Sequence, residues 1–192
     1  MPDKIYISAQ QLLDDSFQLA ANILKSGFKP NFIIGIWRGG TPVGIAVQEL
    51  MDYVGVETDH IAIRTSSYTG IGTQSTEVQV YGLGYIVRNI NQEDALLIVD
   101  DVFDSGRSID AVIKTLSERT RRNMPREVRV ATPWYKPGNN KTTRAPDYYI
   151  HTTDQWLVFP HELKGLNDSE IKKGKGSAAG IIESVRSSGY SD

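Results

Sequence analysis

Cysteine is absent from all 192 residues, which removes disulfides, thiolate zinc sites and a thiol nucleophile. That absence suits a reducing compartment, and we expect a cytoplasmic protein. Neither sign of charge is in large excess: 21 Lys and Arg stand against 23 Asp and Glu, a formal net charge of −2. Such a balance supplies no general basic field for a polyphosphate backbone, so bulk nucleic-acid binding is disfavoured and any phosphate ligand must be held by local groups. Long apolar runs are missing too. The stretch Phe32 to Trp37 is far too short to span a bilayer, and Met1 to Ser8 lacks the basic start and apolar core of a signal peptide, so a soluble protein without membrane contact is expected. Only three histidines occur, and they are scattered. His161-Glu162 has no second histidine at Gly165, which rules out a zinc-protease motif, and His60, His151 and His161 read as structural or surface residues. Asn167-Asp-Ser169 fits the glycosylation acceptor pattern but, with no export signal, reads as a polar turn.

What is present, 40% hydrophobic and 23% charged residues, is the composition of an ordinary globular protein, long enough to bury roughly 70% of the surface its unfolded chain exposes. From Ser8 a helix is signalled by an N-cap residue, by Leu13, Phe17, Ala20 and Leu24 along one face with Leu12 and Ile23 beside it, and by Gly27 as a stop. Phe32 to Ile36 reads as a strand buried on both faces, followed by a Gly-rich turn and a helix carrying Val43, Val47, Leu50 and Met51. The pattern repeats with the strand Leu96 to Asp100 and the amphipathic positions Ile109, Val112, Ile113 and Leu116. Shorter strands are expected at His60 to Thr65, Val128 to Thr132 and Tyr148 to Ile150, with a glycine-containing flap or an ordinary surface hairpin over Ser66 to Tyr85 and a polar loop over Lys136 to Pro146. Strands alternating with helices predict an α/β fold: a mostly parallel central sheet flanked by helices. One domain is expected over 1–166, with a small hood from about 132 to 166. Residues 167–192 form a tail, mobile over Lys172 to Gly176 and with one short helix over Ala178 to Val185.

Ligands of such sheets bind beyond the carboxyl ends of the strands, and two segments there carry chemistry. In Leu96-Leu-Ile-Val-Asp-Asp-Val-Phe-Asp-Ser-Gly-Arg-Ser108 a hydrophobic strand delivers three carboxylates and then a hydroxyl-bearing turn into a helix start. The turn and helix N-terminus offer N–H groups and hydroxyls to a phosphate, while Asp100 and Asp101 can accept from vicinal ribose hydroxyls or hold a hydrated Mg²⁺. A sugar phosphate needs both. In Gly35-Ile-Trp-Arg-Gly-Gly-Thr-Pro-Val-Gly44 the glycines have Walker A spacing, but Ile45 and Ala46 stand where Lys and Ser or Thr are required, so nucleoside triphosphate hydrolysis is excluded while the backbone can still cradle phosphate.

The 96–108 segment resembles the 5-phosphoribosyl 1-pyrophosphate (PRPP) motif of the type I phosphoribosyltransferases: four apolar residues, two acids, two variable residues, Asp-Thr-Gly, one variable residue and Thr. Ser105 and Ser108 replace the threonines and keep the hydroxyls. The resemblance implies PRPP binding by Asp100, Asp101, Asp104, Ser105, Gly106, Arg107 and Ser108. It also implies a pyrophosphate loop at Arg38, Gly39 and Gly40 with a cis peptide at Trp37-Arg38, and a flexible loop that begins at Ser66-Ser67-Tyr68 and brings Ser67 and Tyr68 to PRPP.

Thr132 to Pro137 and Asp154 to Glu162 resemble the hood of the hypoxanthine and xanthine-guanine enzymes. By that resemblance Lys136 donates to the purine O6, Trp156 stacks on the base and the Leu157 backbone meets its 2-position edge. Glu162 falls near a metal-linked carboxylate. An ammonium donates and never accepts, so Lys136 favours a 6-oxopurine over adenine. The departures are Val158 where relatives often carry an acid, His161-Glu162 where they carry Trp-Asp, and a longer loop after Ser66.

The expected reaction is displacement of pyrophosphate from the ribose C1′ by N9 of hypoxanthine, guanine or xanthine. In it Mg²⁺ and Arg38 meet the leaving-group charge, and Asp104 takes the purine proton at N7. The resemblance also implies a homo-oligomer, dimer or tetramer. Two rivals stand beside this reading: a phosphoribosyltransferase-fold regulator sensing PRPP or nucleotide, and an enzyme for another base such as a pyrimidine.

Overall fold

A computed structural model of the chain describes residues 4–69 and 76–189. In chain order the elements are β1 (Lys4–Tyr6), α1 (Ala9–Lys25), β2 (Phe32–Trp37), α2 (Gly40–Tyr53), β3 (Asp59–Thr69), β4 (Thr76–Tyr81), α3 (Gly84–Asn89), β5 (Ala95–Val99), β6 (Val102–Phe103), α4 (Arg107–Thr120), β7 (Glu127–Tyr135), β8 (Tyr148–Thr152), β9 (Trp156–Val158), α5 (Asp168–Gly174) and α6 (Ala178–Ser187). They fall into two compact units, one of residues 13–154 and one of residues 1–12 with 155–192.

The larger unit is built on a sheet ordered β4-β3-β2-β5-β7-β6, with β8 also on β7. Every pairing is parallel except β3 with β4. The expected α/β architecture with its mostly parallel sheet is therefore what the chain adopts. The first five residues of β2 and the last four of β5 are buried without alternation, as strands covered on both faces must be. Period-2 alternation divides them: Phe32, Ile34, Ile36, Leu96, Ile98 and Val130 join Phe103, Ile109, Val112 and Leu116 in one core.

In three places the structure is more specific than the sequence reading, each for a physical reason. In α1 the buried residues are Leu12, Ser16, Leu19, Ala20 and Ile23, whereas Leu13 and Phe17 are 42% and 39% exposed. Two apolar stripes lie one residue apart on this helix, and the polar Ser16 disguised the one that packs. Of the two forms expected over Ser66 to Tyr85, flap or hairpin, the described residues show an antiparallel pair, β3 with β4, in register from Arg64↔Tyr81 to Thr69↔Thr76, followed by α3. Its tip lies outside the described residues.

The third place is the region after Leu166. There α5 forms behind a capping box, with the Asn167 side chain accepting from the Glu170 amide and the Glu170 carboxylate from the Asn167 amide, and it takes in Lys172 to Gly174. In the same unit β1 pairs in parallel with β9. Lys4 bridges to Glu170 at 2.5 Å, and the Lys175 ammonium donates to the Phe159 carbonyl at 2.7 Å. Residues 155–192 group with 1–12 in one compact unit. The expected short helix at 178–185 is present as α6.

Candidate active site

The site grows from the ends of β2 and β5. At the end of β2 the Trp37-Arg38 peptide is cis, as the resemblance implied, and the chain turns through Gly39 and Gly40 into α2. These glycines are required by close approach. A Cβ on Gly39 would stand 1.8 Å from Asp101 Oδ2, and one on Gly40 would stand 2.4 Å from the Val99 carbonyl oxygen and 2.8 Å from Asp100 Cα. The Arg38 turn is therefore pressed directly against the acidic end of β5, and Arg38 itself is exposed.

Asp100 and Asp101 occupy a break in the strand. β5 pairs with β7 as far as Val99↔Ala131 and the line resumes as β6 at Val102↔Trp134, so the two acids stand where the ladder is interrupted. The Asp100 carboxylate accepts from the amides of Asp101, at 3.0 Å, and of Gly40. Burial first, and the neighbouring Asp101 charge second, push its carboxyl well above the usual carboxylate range.

Beyond β6 the turn Ser105-Gly106 leads into α4. Gly106 sits at φ 76°, a left-handed conformation, and a Cβ there would meet the Phe103 ring and Thr142 Oγ1, each at 2.7 Å. As the N-cap of α4, Gly106 has no side chain to bond the first-turn amides; the Arg107 amide donates to Ser105 Oγ at a long 3.5 Å, and a helix N-terminus of this kind suits an anion. A concavity of about 70 Å³ lies here, lined by Asp100, Phe103, Asp104, Ser105, Gly106 and Ser108 among others. It has room for a small anion and not for a whole nucleotide. Arg107 is exposed at its edge.

Asp104 is held by two donors: Lys136 Nζ reaches Oδ2 at 3.2 Å and Asn139 Nδ2 reaches Oδ1 at 3.0 Å. The Lys136 side chain is 9% exposed and that of Asp104 47%. Lys136 is aimed by the sheet, its amide donating to the Phe103 carbonyl at 2.9 Å. Asn139 is a contact the sequence reading missed. The only sign of it was the Asn-rich composition of the loop after Lys136.

The structure brings together Arg38, Gly39, Gly40, Asp100 and Asp101 on one side, and Asp104, Ser105, Gly106, Arg107, Ser108 and Lys136 on the other, joined through the single segment 99–108. Ser67 and Tyr68 are placed on β3, opposite Val78 and Glu77, beyond Arg64, the register partner of Trp37. Trp156, Leu157 and Glu162 belong to the other unit. There Trp156 is 60% exposed and Leu157 is buried, while Glu162 Oε2 accepts from the Phe159 amide at 3.2 Å. That unit has a larger cavity, about 580 Å³, edged by Ile7, His161, Lys175 and Ile182, but the lysine ammonium there is spent on backbone carbonyls.

Among the described residues no group of three or more His, Asp or Glu side chains could hold a metal. The pair Asp100 and Asp101 nevertheless suits Mg²⁺, which commonly keeps its waters and is bound by one or two carboxylates together with substrate phosphates.

A family model described as the phosphoribosyl transferase domain matches residues 5–164. The chain belongs to the phosphoribosyltransferase family. This phosphoribosyltransferase is similar in structure to a purine phosphoribosyltransferase from Pyrococcus horikoshii, with 26% identity and a TM-score of 0.64 over 86% of this chain and 97% of that one. A Neisseria gonorrhoeae protein with bound ppGpp aligns at a TM-score of 0.74 and 20% identity, over 93% of this chain and 98% of that one. The Helicobacter pylori xanthine-guanine-hypoxanthine phosphoribosyltransferase aligns at 0.64 and 20%, over 82% and 92%. At 20% identity these last two share the fold. No curated protein matches the phosphoribosyltransferase in sequence.

Proposed function

We propose that this phosphoribosyltransferase transfers the 5-phosphoribosyl group of PRPP to N9 of a 6-oxopurine, hypoxanthine, guanine or xanthine, and releases pyrophosphate. The observation that carries the reading is the Lys136–Asp104 pair, an ammonium and a carboxylate 3.2 Å apart at the edge of the phosphate turn. A 6-oxopurine presents an acceptor, O6, beside a proton-bearing N7, and this pair offers a donor beside an acceptor. Adenine presents an amino donor at the 6-position, which an ammonium cannot satisfy.

In the proposed reaction N9 forms its bond to C1′ as the C1′–oxygen bond to pyrophosphate breaks, and the N7 proton passes to the Asp104 carboxylate. The Gly106 turn, the Ser105 and Ser108 hydroxyls and the first amides of α4 hold the 5-phosphate. Arg38 and the amides of the Gly39-Gly40 turn receive the charge that develops on pyrophosphate. Asp100 and Asp101 are the carboxylates suited to Mg²⁺, which when bound neutralises diphosphate charge.

The test is pyrophosphate release from PRPP measured with hypoxanthine, guanine, xanthine, adenine and uracil in turn. Release with one or more oxopurines, and not with adenine or uracil, is expected. Asp104→Asn should lower turnover by about 10²–10⁴ while PRPP affinity stays within a few-fold; unchanged turnover would remove Asp104 from the chemistry. A second reading, a sensor of PRPP or nucleotide built on the same fold, draws support from the ppGpp-bound Neisseria gonorrhoeae structure. Tight nucleotide binding with no pyrophosphate release from any base would favour it.

A further inference from the structure

The segment after Lys136 folds back along the carboxylate and phosphate turn and touches it at successive points. The Lys136 amide donates to the Phe103 carbonyl and the Lys141 amide to the Ser105 carbonyl, at 2.9 and 3.0 Å. Thr142 Oγ1 occupies the space a Gly106 Cβ would need. The segment is itself pinned, because Gly138 donates to Asp154 Oδ1 at 2.8 Å and a Cβ on Gly138 would collide with that carboxylate at 2.8 Å. Between these anchors Asn139 Nδ2 donates to Asp104 Oδ1 at 3.0 Å, while Lys136 Nζ holds Oδ2.

We infer that Asn139 is a positioning residue that fixes the plane of the Asp104 carboxylate for proton transfer. The inference rests on the oxopurine reading, in which Lys136 must serve O6 as well as Asp104. A carboxylate held at one oxygen only can rotate about its Cβ–Cγ bond and follow the ammonium when that turns toward the base. A carboxylate held at both oxygens keeps its orientation, and each oxygen retains a second lone pair for N7–H. The amide donates without adding charge, so it orients Asp104 without competing with Lys136 for O6. Such preorganisation acts on the bound base and not on the phosphates, since the 5-phosphate turn is braced separately through Lys141 and Thr142.

The test is steady-state kinetics on the full chain with PRPP, Mg²⁺ and the best oxopurine, for wild type, Asn139→Ala, Asn139→Asp, Asp104→Asn and the Asn139→Ala, Asp104→Asn double variant, with melting temperatures alongside. Asn139→Ala should lower kcat about tenfold with the PRPP KM unchanged. Asn139→Asp, which sets a like charge against Asp104, should lose more. In the Asp104→Asn background the alanine substitution should cost nothing further, because its target is gone. Asn139→Ser, the smaller polar variant, replaces alanine if that protein is unstable. A kcat within twofold of wild type, an equal tenfold loss in the Asp104→Asn background, or a rise in PRPP KM matching the loss would each overturn the inference while leaving the oxopurine reading in place. A wild type inert with every oxopurine overturns both.

Discussion

At the residue scale, the two glycines of the Arg38 turn make different demands although they are neighbours. A Cβ on Gly39 meets the far end of the Asp101 side chain, whereas one on Gly40 meets the Val99 and Asp100 backbone. A side chain can swing aside and a strand cannot. Gly40→Ala should therefore destabilise the fold by about 1–3 kcal/mol, and Gly39→Ala by less than about 1 kcal/mol, as read by urea midpoints. Pyrophosphate release should fall at least tenfold in both, because Asp101 is displaced in one and the turn in the other. Equal stability losses would show that the turn is less tightly pressed on β5 than the distances require.

Asp100 carries a second prediction at the same scale. Its carboxyl is pushed upward by burial and by Asp101, so the folded state binds this proton more tightly than the unfolded state. The contribution is favourable below the unfolded value, about pH 4, and is lost as pH rises through the folded value. Asp100→Asn keeps an oxygen acceptor for the Gly40 and Asp101 amides and removes the charge. In metal-free protein it should melt higher than wild type at pH 7, with the gain shrinking toward pH 4, and it should be less active with Mg²⁺ present. A pH-independent difference would contradict the burial.

At the element scale, α5 depends on Glu170, which closes the capping box and bridges to Lys4. The Lys4 ammonium and the Asn167 amide hold the Glu170 carboxyl below its usual range. Its contribution is then present above the ordinary glutamate value, about pH 4.3, and is lost as pH falls through the depressed one. Glu170→Ala should abolish amide-exchange protection across 168–174 at neutral pH, and wild type should lose that protection on acidification below about pH 4. Retained protection in the variant would mean that α5 is held by its apolar contacts alone.

The elements also divide what could be read ahead from what could not. β2 and β5 were plain in the sequence because continuous apolar pentads flanked by polar turns have few other homes. β6 was not, since two residues carry no periodicity and Val102-Phe103 becomes a strand only because Trp134 and Tyr135 lie alongside. The α1 stripe misled because burial there includes a serine. The cap of α5 and its ion pair to Lys4 were not legible either, because they are specific contacts that charge and glycine content do not register.

At the scale of the whole molecule, the family membership and the α/β sheet make a phosphoribosyltransferase, and ligand linkage tests the site as one object. PRPP with Mg²⁺ at about one hundred times its dissociation constant should stabilise the protein by about 2.7 kcal/mol, seen as a rise in melting temperature. Chelating Mg²⁺ should remove most of that rise if Asp100 and Asp101 hold the ion against the diphosphate. A rise indifferent to chelation would show that the phosphates are held by the turns alone.

Contiguity made one part of the candidate site legible in the sequence: the acids, the hydroxyls and the Gly106 turn lie within one run between a strand and a helix start. Tertiary structure decided what touches Asp104. Lys136 and Asn139 are 32 and 35 residues away from it, and a contact over that span depends on which strand lies beside which, which local propensity does not encode. It also decided that Gly40 must be glycine and that Gly39 lies against Asp101, because the Val99 and Asp100 backbone and the Asp101 side chain reach that turn only when β2 and β5 pair.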